Sequence, residues 1–194
     1  LNLKELNQKE RLSLFSWHAN LITINRRKTV VLVNDTSAYT IILYGLKKDD
    51  FDNFVDCVKL GIEKAFKLEE INESIIEKYL TEFKKFSYQK TKNRRFVGRL
   101  SHTCREVDFY SDEFNKKEIY QSESTIKINK SLFKEIDNKN YFHPNERLNE
   151  ELSEYYNDEN IIKNRAAILN IAMNEENLKF NKFELNFEEE DNIR

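Results

Sequence analysis

The chain has 194 residues, of which 39% are hydrophobic and 12% aromatic, with a net charge of −2; this is enough apolar material to build a core and excludes wholesale disorder. No apolar run reaches the roughly 18 residues of a bilayer span, and Leu1-Asn2-Leu3-Lys4-Glu5 lacks a signal-peptide run, so a cytoplasmic protein with no membrane partner is expected. The net charge hides an asymmetry: residues 1–100 hold 19 Lys/Arg against 13 Asp/Glu, and residues 101–194 hold 13 against 21, so the basic half is the one suited to an anionic partner.

The chain opens on leucine rather than methionine, and a short upstream segment is expected. Leucines at 3 and 6 among charged residues suggest a short helix near the start. From Phe15 the pattern changes. Leu21, Ile22 and Ile24 precede Asn25-Arg26-Arg27-Lys28, and Thr29 to Val33 is β-branched and apolar, which predicts two strands joined by a tight, cation-tipped turn. Asn25 tolerates a left-handed backbone. A second turn at Asn34-Asp35-Thr36-Ser37 leads to a third strand, Tyr39 to Tyr44, and together these make an antiparallel meander.

Helical spacing follows. Phe51, Phe54, Val55, Val58, Ile62 and Phe66 predict an amphipathic helix over 50–67, capped by Asp49 or Asp50. Ile71, Ile75, Ile76, Tyr79, Leu80 and Phe83 predict a second over about 72–83, and Phe86 to Lys90 alternates like an edge strand flanked by lysines. Phe51, Phe54, Phe66, Phe83 and Phe96 have core spacing, and strand tyrosines such as Tyr39, Tyr44 and Tyr88 are more in keeping with half-buried packing than with base stacking.

The next block has one sign of charge. Lys84, Lys85, Lys90, Lys92, Arg94, Arg95, Arg99 and Arg105 are eight cations with no acid among them. Phe96, Val97, Leu100, Cys104 and Val107 share a helical face, so a helix capped by Asn93 should carry its arginines outward. Guanidinium groups bind phosphate oxygens in pairs and keep their charge.

Beyond Tyr110 the pattern weakens, and Ile126, Ile128 and Leu132-Phe133 fit a strand followed by a helix as well as a single gapped helix. Pro144 suits a first helical position and Glu146 a first turn, and Leu148, Leu152 and Tyr155 extend the face, giving a helix over about 144–156. Asn157-Asp158-Glu159-Asn160 reads as a linker, Ile161 to Met173 as a helix apolar nearly all round, and Phe183 to Arg194 as an acidic tail. The expected architecture is α+β: a small antiparallel meander packed against several helices, with a helical C-terminal part. Residues 1–156 form one domain, and 157–194 pack on it or on a partner.

Trp17-His18-Ala19-Asn20-Leu21, the run from Asn25 to Asp35 and Tyr44-Gly45-Leu46-Lys47 resemble an uncharacterised bacterial domain family with a Trp-His-Ala-Asn-Leu signature, related to plasmid open-reading-frame-three-like proteins. Lys90-Thr91-Lys92-Asn93-Arg94 and Tyr141-Phe142-His143-Pro144-Asn145-Glu146 resemble its later segments, so the likeness spans roughly residues 15–155. The resemblance implies no chemistry, because the family is a domain of unknown function. Its mobile-element setting implies nucleic acid as a partner by association.

Two classes of function follow. The first is a nucleic-acid-associated binding or regulatory module in a mobile-element or defence setting, contacting RNA or DNA phosphates through Arg26, Arg27, Lys28, Lys92, Arg94, Arg95, Arg99 and Arg105. The alternative is a phosphodiester-cleaving enzyme using His18, His143 and Glu146 for proton transfer, beside the phosphate clamps Arg26 and Arg27. A structural part for His18, holding a turn, competes with that, as do a helix cap for His143 and a surface position for His102. A third reading is an interaction subunit or homodimer joined through 161–173. Cys57 and Cys104 have no ligand spacing and suit buried thiols in a reduced compartment, and the histidines lie tens of residues apart, so neither metal nor cofactor is expected. Gly-rich phosphate loops and nucleophile motifs are absent from the sequence.

Overall fold

A computed structural model describes residues 14–90, 94–135, 140–157 and 167–173. The helix expected near the start, Lys92, Asn93 and the acidic tail lie outside the described residues. The elements in chain order are β1 (Ser16–Ile24), β2 (Arg27–Asn34), β3 (Thr40–Tyr44), α1 (Lys48–Asp52), α2 (Phe54–Leu68), α3 (Glu73–Glu82), β4 (Phe83–Lys90) and α4 (Arg94–Phe109). After a 3-10 turn at Ser111–Glu113 come α5 (Ser122–Asn129), β5 (Phe133–Lys134), β6 (Tyr141–Phe142), α6 (Pro144–Asn157) and β7 (Ala167–Met173). The fold is α+β.

The meander forms as its turns dictate. Ile24 pairs with Arg27, which leaves Asn25 and Arg26 as a two-residue turn, both with positive φ, at 49° and 63°. That turn matches the twist of the flanking strands. At the other end of β2 the buried Asn34 side chain organises the second turn. Its Oδ1 accepts from the backbone N–H groups of Thr36 and Ser37, and its Nδ2 donates to the carbonyls of Leu14 and Ser16.

Strand order is β3-β2-β1-β7-β4, with β1, β2 and β3 antiparallel and β7 parallel to both β1 and β4. Here one expectation is corrected: Ala167–Met173 is an inner strand, not part of a helix over 161–173. A short apolar run has the same appearance in a buried helix and in a strand flanked on both sides, and pairing with β1 and β4 decides between them. Residues 158–166 lie outside the described residues. The edge strand expected at Phe86–Lys90 is observed as β4 and starts earlier, at Phe83.

Both faces of the meander are covered, which is why β2 and β3 read as continuous apolar runs rather than alternating ones. On one face Trp17, Ala19, Val30, Leu32, Ile41 and Leu43 meet α2, α3 and α6 through residues such as Ile62, Phe66, Tyr79 and Leu152. On the other, Ile24, Val31, Val33, Ile42 and Tyr44 meet Leu100, Cys104 and Val107 of α4, and Ile128 of α5. Gly61 permits the close approach of α2, since a Cβ there would sit 3.0 Å from Leu43 and 3.2 Å from Ile41. The single helix expected over 50–67 is broken at Asn53, whose backbone N–H and side-chain Nδ2 both donate to the Asp49 carbonyl. A side chain competing for a helix carbonyl in this way ends the turn.

Candidate functional site

Trp17 and His18 point to opposite faces of β1, as strand geometry requires. Trp17 is buried, and its Nε1 donates to Tyr79 Oη at 3.2 Å, while that hydroxyl donates to the Leu14 carbonyl at 3.0 Å. His18 faces α4. Its Nδ1 donates to Asp35 Oδ1 at 2.5 Å, and the Phe96 ring lies 4.9 Å from the imidazole. On the same face, Asn20 Nδ2 donates to Cys104 Sγ at 3.6 Å. Cys104 is buried, Cys57 is half-buried and both are free thiols; burial pushes the Cys104 thiol up to about 11.

Helix α4 turns Leu100, Cys104 and Val107 inward, one or two turns apart, and this fixes what points out. Arg94, Arg95, Gly98, Ser101, His102 and Arg105 are exposed. No acidic residue occupies the first turn. Arginines at a helix N-terminus oppose the positive end of the helix dipole, which favours an anion there. Gly98 sits mid-helix, where glycine costs about 1 kcal/mol relative to alanine. A Cβ at Gly98 would meet nothing within 4 Å, so packing within the fold does not account for it. At 1.5 Å per residue, Arg94 and Arg105 stand about 16 Å apart along the axis.

Arg99 lies on the flank of this face. Its Nη1 donates to the Asp35 carbonyl at 3.0 Å, and burial pushes the guanidinium down to about 10 against the raising influence of Asp35. Arg147, Glu135 and Glu151 also act on its charge, so α6 reaches the same neighbourhood. There Arg147 pairs with Glu135 and lies over the Phe142 ring, 3.8 Å from its centroid.

The cations after β1 divide. Arg27 is engaged within the fold, donating to the Lys116 carbonyl at 2.9 Å and lying over Tyr44, and Lys28 lies over Phe51. Arg26 lines an open pocket of about 350 Å³ with Asn25, Ser111, Asp112 and Lys116, past the C-terminal end of α4. The basic residues therefore fall at both ends of one helix. Tyr39 and Tyr44 are buried and present no stacking surface.

His143 stands apart from His18. Its Nδ1 bonds the Lys130 carbonyl at 3.0 Å, so that nitrogen carries the proton. Glu146 is exposed on the first turn of α6. Among the described residues no hydrogen bond, ion pair or ring contact joins His18 to either of them. His102 is exposed and lies 3.8 Å from Glu106, one turn away.

Sequence reasoning missed Asp35, and a signal for it existed. Partners across the β1–β2 hairpin keep a constant register about the Asn25-Arg26 turn, which pairs His18 with Val33 and brings Asp35 opposite Ser16, on His18's face. Phe96, Arg147 and Glu151 carried no comparable signal, because they come from helices whose placement the sequence leaves open. Among the described residues, no group of three His, Cys, Asp or Glu side chains converges as a metal site, and no helix is long and apolar enough to cross a membrane.

Comparison with curated proteins and with solved structures gives no match. Residues 1–147 match the model of a family described as a domain of unknown function, DUF6933, and the chain, with its meander and cationic α4 inside that span, belongs to this family.

Proposed function

We propose that the protein binds single-stranded or duplex nucleic acid through the exposed face of α4. The observation that carries this reading is the stripe Arg94, Arg95, Gly98, Ser101, His102 and Arg105: cations flank a mid-helix glycine that the fold does not need for packing. Small residues between arginines let a phosphate backbone come close to the helix while guanidinium groups reach its oxygens. Arg26 and Lys116 add two further cations in a pocket past the far end of α4, which they share with Asp112 and which the exposed Asp108 and Phe109 separate from Arg105. The likeness of the Trp-His-Ala-Asn-Leu stretch to a bacterial family related to plasmid proteins supports a mobile-element setting by association alone.

The test is fluorescence anisotropy with labelled RNA and DNA over a salt series. Affinity should fall steeply with salt, and replacing Arg94, Arg95 and Arg105 together by glutamine should flatten the log–log slope by about 2–3, since each phosphate contact contributes roughly 0.7–0.9. No binding at low salt, or an unchanged slope in the triple variant, sinks the reading.

A further inference from the structure

Phe109 is the last residue of α4 and, at 80%, the most exposed large apolar side chain among the described residues. The helical ladder still holds there, because the N–H of Tyr110 donates to the Glu106 carbonyl. Phe109 therefore follows Arg105 by four residues, His102 by seven and Gly98 by eleven, spacings that return to one side of a helix. It closes the outward stripe that Arg94 and Arg95 open, about 21 Å along the axis from Arg95. Its ring stands edge-to-face with Tyr110, centroids 5.3 Å apart and planes at 82°. Tyr110 packs against the core on that side of the sheet and lies under Lys127 Nζ at 5.8 Å, so a seated ring orients the exposed one.

The two ends of the stripe differ in what they can hold. Arg94 and Arg95 stand at the positive end of the helix dipole, which favours a phosphate. The last turn has no basic residue and carries the exposed Asp108 at the negative end, which disfavours one. What that turn offers is a flat apolar face, and the part of a nucleic acid that such a face takes up is a base. We propose that the stripe binds single-stranded nucleic acid in preference to duplex, with Phe109 as the platform on which an unpaired base stacks while the arginines hold phosphates. This deepens the reading of α4 as a nucleic-acid-binding face and rests on it. In a duplex both faces of each base are already stacked on neighbours, so the ring meets a base only in a strand free to splay one out. Stacking tolerates any base and does not read the sugar, so RNA and DNA single strands both qualify. The contact carries no charge, so the arginines set the salt dependence and Phe109 adds affinity that salt does not remove.

Anisotropy with labelled RNA and DNA single strands, and with the same strands annealed to their complements, tests this. The wild-type chain should bind the single strands more tightly. Phe109→Ala and Phe109→Leu should each weaken single-strand binding about 5- to 100-fold with the log–log salt slope unchanged, and leave duplex binding within about 2-fold. Leucine keeps apolar bulk without a flat face, which separates stacking from general stickiness. Phe109→Trp should keep the affinity, and because Trp17 is buried, the added exposed indole should lose fluorescence as single strands are titrated in and not as duplexes are. Thermal melting checks that each variant is folded. Equal affinity for single strands and duplexes, or wild-type single-strand affinity in the folded alanine or leucine variant, overturns this inference and leaves the binding reading standing. Light scattering that finds a dimer for the wild type and a monomer for Phe109→Ala makes the ring a contact between copies and overturns it likewise. Absence of binding to every probe overturns the binding reading and this one with it.

Discussion

Thr36 Oγ1 lies 2.6 Å from Glu151 Oε2 and 2.9 Å from Asn34 Oδ1, joining the middle of α6 to the turn after β2. One hydroxyl proton cannot serve both acceptors. A protonated Glu151 resolves the conflict by donating to Thr36, which then donates to Asn34. Burial works in the same direction, pushing the carboxyl up to about 7 although Thr36 and Arg147 pull it down and Glu150 and Glu154 add to the rise.

The pH dependence follows from that direction. Because the folded value exceeds the ordinary 4.5, the folded state holds the proton more tightly than the unfolded chain does. The contribution of this group is complete below 4.5 and is lost as pH rises through about 7. Thermal melts from mildly acidic to mildly alkaline pH should show wild-type stability falling across this window by on the order of 2–3 kcal/mol. Glu151→Gln, which keeps an amide able to donate to Thr36, should flatten the fall and melt higher than wild type at alkaline pH. An equal pH dependence in the two proteins would assign the effect to other groups.

Tyr79 performs two tasks with one hydroxyl, accepting from Trp17 Nε1 and donating to the Leu14 carbonyl. Tyr79→Phe keeps the ring, which stacks on Phe15 at 4.8 Å, but strands a buried N–H and weakens the satisfaction of a carbonyl. A loss of about 1–3 kcal/mol in urea unfolding is expected, from the desolvation of groups left unpaired. A loss below the error of the extrapolation would mean that relaxation or water replaces the hydroxyl.

Arg26 holds a left-handed backbone, φ 63°, at a turn position where glycine is the natural occupant. Arg26→Gly should stabilise the hairpin by about 0.5–1 kcal/mol, the left-handed penalty less glycine's added unfolded-state entropy. The same variant removes a cation from the pocket it shares with Lys116, so nucleic-acid affinity should fall while the melting temperature rises. If both fall together, the arginine is part of the hairpin's own stability.

The parts of the fold legible in the sequence are those whose signals are local. The Asn25-Arg26 turn, the face of α2 through Val58, Ile62 and Phe66, and Pro144 opening α6 all rest on residues within a few positions of each other. Two stretches were misread: Ala167–Met173, whose strand identity depends on β1 and β4, distant in sequence, and the stretch from Ile126 to Phe133, which is the end of helix α5 followed by strand β5 rather than a strand followed by a helix or one gapped helix. The candidate site divides in the same way. The arginines of α4 were visible as a charge run, whereas the His18–Asp35 pair required the hairpin register and Phe96 required α4 to be docked on β1. The division of Arg26, Arg27 and Lys28 between an open pocket and internal contacts depends on Lys116, Tyr44 and Phe51, none adjacent in sequence.

Gly98 separates the stability of α4 from its proposed use. A Cβ there meets nothing within 4 Å, so Gly98→Ala should raise stability by roughly 0.5–1 kcal/mol through helix propensity alone. Alanine adds one methyl group between the arginines and should leave nucleic-acid affinity little changed. Gly98→Leu should fold equally well, yet its side chain projects from the exposed stripe and should weaken binding by about 10-fold or more, the equivalent of some 1.4 kcal/mol. Melting and anisotropy on the two variants check this together. Leucine without effect on binding would mean that the nucleic acid does not lie against this face of α4, even if the arginines still contribute to its attraction.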